Sequence, residues 1–163
     1  MFPTEILELA RAVLDAARAR GWHAATAESC TGGLVCAALT EIAGSSDVVD
    51  RSFVTYSNAA KTALVGVPAE VIEAHGAVSE PTARAMAAGA LAASGADVAV
   101  AITGVAGPGG GSAEKPVGLV WFGLATRHGV MTREMRYGDR GRGAVRLAAT
   151  KTALEMLLEG VKG

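Results

Sequence analysis

Residues 97–103, Asp-Val-Ala-Val-Ala-Ile-Thr, are apolar at every interior position. A strand with one wet face alternates apolar and polar side chains. A strand apolar throughout is covered on both sides, as in the middle of an α/β sheet. The segment therefore predicts a sheet held between helices, and the flanking patterns agree. Ile6, Leu9, Ala10, Val13, Leu14 and Ala17 recur at helical spacing, which predicts a helix over 4–19 with Thr4 as N-cap and Gly21 as its stop. A strand is expected at 22–27, a helix from Leu34 to about Ala43, a loop at Gly44-Ser45-Ser46 and a strand at 51–56. Residues 57–64 are ambiguous between a loop and a short helical turn. Pro68 suits the first position of a helix reaching His75. Ser79 caps another helix, with Pro81 in its first turn, that runs to about Ser94. A glycine-rich loop at 104–111, a strand at 117–126, a turn at Arg127-His128-Gly129, a return strand at 130–137 and a helix over 143–159 complete the chain.

Strands alternating with helices, then a hairpin and a closing helix, place the chain in the α/β class. The expected architecture is a three-layer α/β/α sandwich with a mixed central sheet, because the hairpin forces an antiparallel pair. The 163 residues fit one domain, 1–163. Half the residues are hydrophobic but only 4% are aromatic, so the core must be built from Ala, Val, Leu and Ile.

Charge and composition narrow the partners. The net charge of −1 gives no basic field, so nucleic acid is not the expected partner. No apolar run is long enough to span a bilayer, so no membrane partner is expected. The first residues lack the pattern of a secretory signal. Cys30 and Cys36 match no zinc spacing and read as free thiols, which predicts a cytoplasmic protein.

Ligands in such sheets bind outside the strand carboxyl ends, and Ser29, Tyr56 and Thr103 each close a predicted strand. Ser29 sits in Ala27-Glu28-Ser29-Cys30-Thr31-Gly32-Gly33-Leu34, between strand and helix. A hydroxyl there, beside free backbone N–H groups, suits a nucleophile with its own oxyanion site or a cradle for an anion. It equally suits a simple helix cap. A nucleophile needs a base. His23, His75 and His128 fall in a strand, at a helix end and in a turn away from the ligand edge, which disfavours a Ser-His-Asp triad. Lys61, in the apolar company of Ala59, Ala60, Ala63 and Leu64, is the alternative, provided burial keeps it neutral. Tyr56 could relay its proton or hold it in place, and a solvated surface lysine is the plainer alternative.

The remaining candidates are contacts for a ligand. Gly104, Gly107 and Gly109 allow close backbone approach, but their loop has neither P-loop nor dinucleotide spacing. Thr103 could donate to a ligand or simply finish its strand. Glu28 could accept from a ligand hydroxyl or orient the loop. Cys30 is either a second nucleophile or a small buried thiol. Arg140, Arg142 and Arg146, near a helix start, suggest an anion, a partner subunit or a solvated face.

Six motifs in this order resemble the CinA carboxy-terminal domain family. They are Ala27 to Gly33, Tyr56-Ser57-Asn58-Ala59-Ala60-Lys61, His75-Gly76-Ala77-Val78-Ser79, Ile102 to Gly110, Lys115-Pro116-Val117-Gly118 and Gly138-Asp139-Arg140. The resemblance covers nearly the whole chain. It implies hydrolysis of the carboxamide of nicotinamide mononucleotide to nicotinate mononucleotide and ammonia, a salvage reaction of pyridine nucleotides. It implies Ser29, Lys61 and Tyr56 as the catalytic set. Substrate contacts are then expected from Glu28, Cys30, Thr31, Gly32, Thr103, Gly104, Gly107, Gly109 and an arginine among Arg140, Arg142 and Arg146. No metal or organic cofactor is implied. The molybdopterin-binding type of domain that some relatives carry before this one is expected to be absent. Gly141-Arg142-Gly143 looks like a small insertion, which leaves open whether Arg142 or Arg146 takes the family position.

Three functions follow as expectations: an amidase using Ser29, a nucleotide-binding module without chemistry, or an interaction protein assembling through the Ala-rich helix 82–94. A homodimer or higher homo-oligomer is expected from that helix and from the resemblance.

Overall fold

The structure is a computed structural model that describes residues 1–163. The strands are β1 (Ala24–Glu28), β2 (Val49–Val54), β3 (Val98–Gly104), β4 (Leu119–Thr126) and β5 (Gly129–Arg136). They form one sheet in the order β2-β1-β3-β4-β5. β1 is parallel to both β2 and β3, while β4 is antiparallel to β3 and to β5. The helices are α1 (Thr4–Arg20), α2 (Leu34–Thr40), α3 (Asn58–Val65), α4 (Ala69–His75), α5 (Glu80–Ala93) and α6 (Arg142–Lys162). The mixed three-layer sandwich read from the sequence is the fold observed.

β3 shows how one strand sets both outer layers. Val98, Val100 and Ile102 join the larger core under α1, α2 and α6, whereas Ala99 and Ala101 join the smaller core under α3 and α5. Bulky residues on one face and alanines on the other put the two helix layers at different depths. The α5 layer sits close. A Cβ on Gly123 of β4 would lie 2.4 Å from the Ala83 carbonyl oxygen, and one on Gly89 would lie 1.7 Å from that of Val65 in α3. Ala83, Ala87 and Ala90 are fully buried in this packing. These three alanines of α5 are therefore engaged inside the domain and offer no surface to a second subunit.

Several boundaries differ from expectation. α1 begins after Pro3, with Thr4 already helical and no side-chain cap. Pro68 precedes α4 as its N-cap instead of opening it. The ambiguous stretch 57–64 is a helix, α3, capped by the Ser57 hydroxyl accepting from the Ala60 amide and stopped at left-handed Gly66. β1 begins and ends later than predicted, and β2 ends two residues earlier. This last shift matters. Glu28 stands in register with Val54 and with Ile102, so the residues level with Ser29 at the sheet edge are Thr55 and Thr103, not Tyr56 and Thr103.

The chain leaves β1 toward β2 on one side and reaches β3 on the other. Ser29 thus sits at the topological switch point, where α/β sheets open a crevice. No helix is long and apolar enough to cross a membrane.

Candidate active site

Ser29 and Lys61 meet. The Lys61 Nζ lies 3.1 Å from the Ser29 Oγ, 2.9 Å from the Thr55 carbonyl oxygen and 3.5 Å from that of Tyr56. Lys61 is 1% exposed, and no carboxylate pairs with it. A buried ammonium without a counterion is costly, so burial pushes its pKa below the ordinary lysine value. The Nζ sits among three oxygens, donating to the two carbonyls and to the Ser29 Oγ. α3 builds this arrangement by turning Lys61 and Val65, four residues apart, toward the interior.

Ser29 does not cap a helix. α2 starts five residues later, and its amides are taken by Glu28. The Glu28 Oε2 accepts from the amides of Gly33 (3.0 Å) and Val35 (3.1 Å). Its Oε1 accepts from the Cys36 amide (2.9 Å) and the Thr26 hydroxyl (3.1 Å). Four donors saturate a carboxylate, and Glu28 is fully buried. It therefore orients the loop and is not available as the expected contact to substrate. The helix terminus that could have held a phosphate is occupied by the protein's own anion.

The turn after Ser29 is also held from the side. The Arg146 Nε donates to the Cys30 carbonyl (3.0 Å) and its Nη2 to that of Thr31 (3.1 Å). The Gly32 amide bonds the Ser29 carbonyl, and the Leu34 amide bonds that of Thr31. The amides of Cys30 and Thr31, by contrast, donate to no carbonyl, carboxylate or hydroxyl of the protein. Cys30 and Thr31 are both buried in this turn, Thr31 completely.

Other expected residues have different places. Thr103 is buried and donates to the Ala77 carbonyl (2.8 Å), which fastens segment 75–79 beside the site and leaves no donor for a ligand. Gly104 lies within β3 against Val120, and Gly107 packs on Val117. Both are close-packed positions, and neither presents an open backbone surface. Gly109 and Gly32 are exposed. The Tyr56 phenol turns away from Lys61: the side chain is exposed and its hydroxyl accepts from the Arg142 Nη2 (3.0 Å). The contact between Tyr56 and Lys61 is made by the tyrosine's carbonyl. The Arg142 Nη1 also holds the Gly107 carbonyl (2.9 Å), so Arg142 bridges the β2–α3 loop and the glycine loop. Lys115 ties the far end of that loop to the His75 carbonyl (2.6 Å). The Arg140 side chain has no partner in the protein, in contrast to Arg142 and Arg146. Burial pushes the Cys30 thiol up to about 12, so it stays protonated and is excluded as a nucleophile near neutral pH.

Sequence reasoning missed Thr55, whose carbonyl anchors Lys61, and the Ala77 carbonyl. Only the strand register exposes the first. A cavity of about 530 Å³ lies at the opposite end of the sheet by the β4–β5 turn and Gly160, and holds none of the expected site residues.

The comparisons with known proteins agree with this architecture. The model of the CinA C-terminal domain matches residues 6–161. Over 159 residues the chain is 53% identical to the nicotinamide-nucleotide amidohydrolase PncC of Escherichia coli K12, covering 96% of this chain and 95% of that protein. It is 54% identical over 153 residues to the protein of the same name from Enterobacter agglomerans, covering 93% and 92%. The crystal structure of the competence/damage inducible protein CihA from Agrobacterium tumefaciens superposes with a TM-score of 0.96 at 58% identity, over 98% of each chain. A CinA superfamily protein from Klebsiella pneumoniae does so with 0.91 at 41% identity, over 96% and 98%. The chain belongs to the CinA C-terminal domain family.

Proposed function

We propose that this protein is an amidase that hydrolyses the carboxamide of nicotinamide mononucleotide, with Ser29 as nucleophile and Lys61 as base. The observation that carries the reading is the buried Ser29–Lys61 pair, with its amine lacking a counterion. The relatives named above as nicotinamide-nucleotide amidohydrolases support the choice of substrate.

In this mechanism neutral Lys61 takes the Ser29 proton as Oγ bonds to the carboxamide carbon. The C=O π pair moves onto oxygen, which the backbone amide of Cys30, next in the chain to Ser29, holds. A donor of this kind lowers the barrier by about 3–4 kcal/mol. When the tetrahedral adduct collapses, the C–N bond breaks and the Lys61 ammonium protonates the departing nitrogen, releasing ammonia. Water, deprotonated by the regenerated amine, then attacks the acyl-enzyme and frees the carboxylate and Ser29. Tyr56 serves through its carbonyl, which helps place the amine, and its phenol with Arg142 forms one wall of the entrance.

The test is ammonia release from nicotinamide mononucleotide by the wild type and by Ser29→Ala. A fall of about a thousandfold or more is expected for removal of the nucleophile. Wild-type protein that binds the mononucleotide and releases nothing would favour a binding module without chemistry.

A further inference from the structure

We infer that Arg142 is a latch across the mouth of the site, closing it against bulky ligands through its contact with the Tyr56 phenol. This rests on the amidase reading above and adds to it a residue that selects by size what reaches Ser29.

Strand order puts the latch over the site. β1 lies between β2 and β3, so Ser29, which follows β1, opens between the segments that follow the other two strands. Tyr56 follows β2, with its carbonyl 3.5 Å from the Lys61 Nζ, and Gly107 follows β3. Arg142 joins them. Its Nη2 donates to the Tyr56 hydroxyl at 3.0 Å and its Nη1 to the Gly107 carbonyl at 2.9 Å. The bridge therefore runs from one side of β1 to the other. α6 fixes its place along the crevice, because Arg146, about one turn after Arg142, holds the Cys30 and Thr31 carbonyls of the turn next to Ser29. The pair it crosses is hidden: Ser29 is 8% exposed and Lys61 is buried. A nucleotide that brings its carboxamide to the Ser29 Oγ needs a wider opening than this.

The two ends of the bridge differ. Gly107 is a fixed post, since a Cβ there would lie 2.6 Å from the Val117 side chain and Lys115 fastens the same loop to the His75 carbonyl. Tyr56 is 60% exposed and Arg142 is exposed, so their bond competes with water and is the end that gives. Releasing it lets the phenol swing outward while the Tyr56 carbonyl keeps its place beside Lys61. The latch can open without disturbing the amine.

The experiment reads access to Ser29 with two sulfonyl fluorides of different bulk, methanesulfonyl fluoride and dansyl fluoride. With each, the Ser29 Oγ bonds to sulfur, the S–F bond breaks, fluoride leaves and Lys61 takes the serine proton. Labelling is followed by intact mass and mapped to Ser29 in wild type, Arg142→Ala and Tyr56→Phe. A latch open about a tenth of the time holds the bulky reagent back, so the ratio of dansyl to methanesulfonyl rates is expected to rise about tenfold in Arg142→Ala. Tyr56→Phe removes one hydroxyl and no backbone contact, and its ratio should rise as well. That second rise separates a latch from a loosening of α6. The inference is overturned if the ratio in Arg142→Ala stays within about twofold of wild type, or if it rises there and not in Tyr56→Phe. If Arg142→Ala does not fold, Tyr56→Phe decides. Wild type that releases no ammonia and takes up neither reagent at Ser29 would instead overturn the amidase reading itself.

Discussion

Lys61 shows how a single side chain can be read correctly and still need a structure. Its apolar neighbours in sequence suggested burial, but they are equally the mark of a short surface helix. The decisive facts are its 1% exposure, the Ser29 hydroxyl at 3.1 Å and the absence of any anion beside it. These have a consequence for pH. In the unfolded chain the amine keeps its proton up to the ordinary value of 10.5, whereas in the fold it loses it earlier. The unfolded state then holds more protons across that window, so stability rises with pH through it. kcat/KM is expected to rise with pH over an acid limb lying below 10.5, as the neutral base is uncovered. Lys61→Met should abolish turnover and flatten the rise of the urea midpoint with pH. A limb at the ordinary lysine value, or an unchanged slope in the variant, would count against a neutral Lys61. Glu28 and Thr103 were legible only as polar residues near the ligand edge. Whether such a group faces a substrate or the protein's own amides depends on hydrogen bonds that no local pattern records.

Among the elements, α3 was the one left undecided, and the reason is physical. A helix of eight residues gives few periods to read, and here the inward position is a lysine, which a hydrophobic pattern counts as solvent-facing. The buried lysine itself breaks the signal. Ser57 before it and Gly66 after it were the cues that could have found it. α3 is held against α5 at Gly89, where backbone meets backbone. Gly89→Ala places a methyl into the Val65 carbonyl, so the two helices must part. A loss of about 1–3 kcal/mol is expected from such overpacking, read by urea denaturation. Because Val65 and Lys61 lie one turn apart, ammonia release should fall as well under conditions where the variant is folded. Unchanged stability would mean that the α3–α5 contact is slack. Ser79 as a cap and Gly21 as a left-handed stop were readable, because capping chemistry is local to a few residues.

For the whole molecule, the question is where an anionic substrate could be held. The α2 terminus is filled by Glu28, Arg146 grips the turn, Arg142 bridges Tyr56 and Gly107, and Lys115 is tied to His75. Arg140, two residues before Arg142, is the cation of this rim left with no protein partner. Arg140→Gln is expected to raise KM for nicotinamide mononucleotide about tenfold, as for loss of one charge-assisted contact, with kcat little changed. KM for the corresponding riboside, which lacks the phosphate, should not move. An equal rise for both substrates would remove Arg140 from that role. The α/β class, the order of elements and the mixed sheet were determined by the sequence alone, because apolar periodicity and capping act over a few residues and survive without tertiary context. The strand register, the burial of Lys61 and the hold of Arg146 on the Cys30 and Thr31 carbonyls were decided by the tertiary structure. Each depends on backbone groups from segments far apart in the chain, and a backbone carbonyl or amide has the same identity at every position, so the sequence carries no mark of which ones will meet.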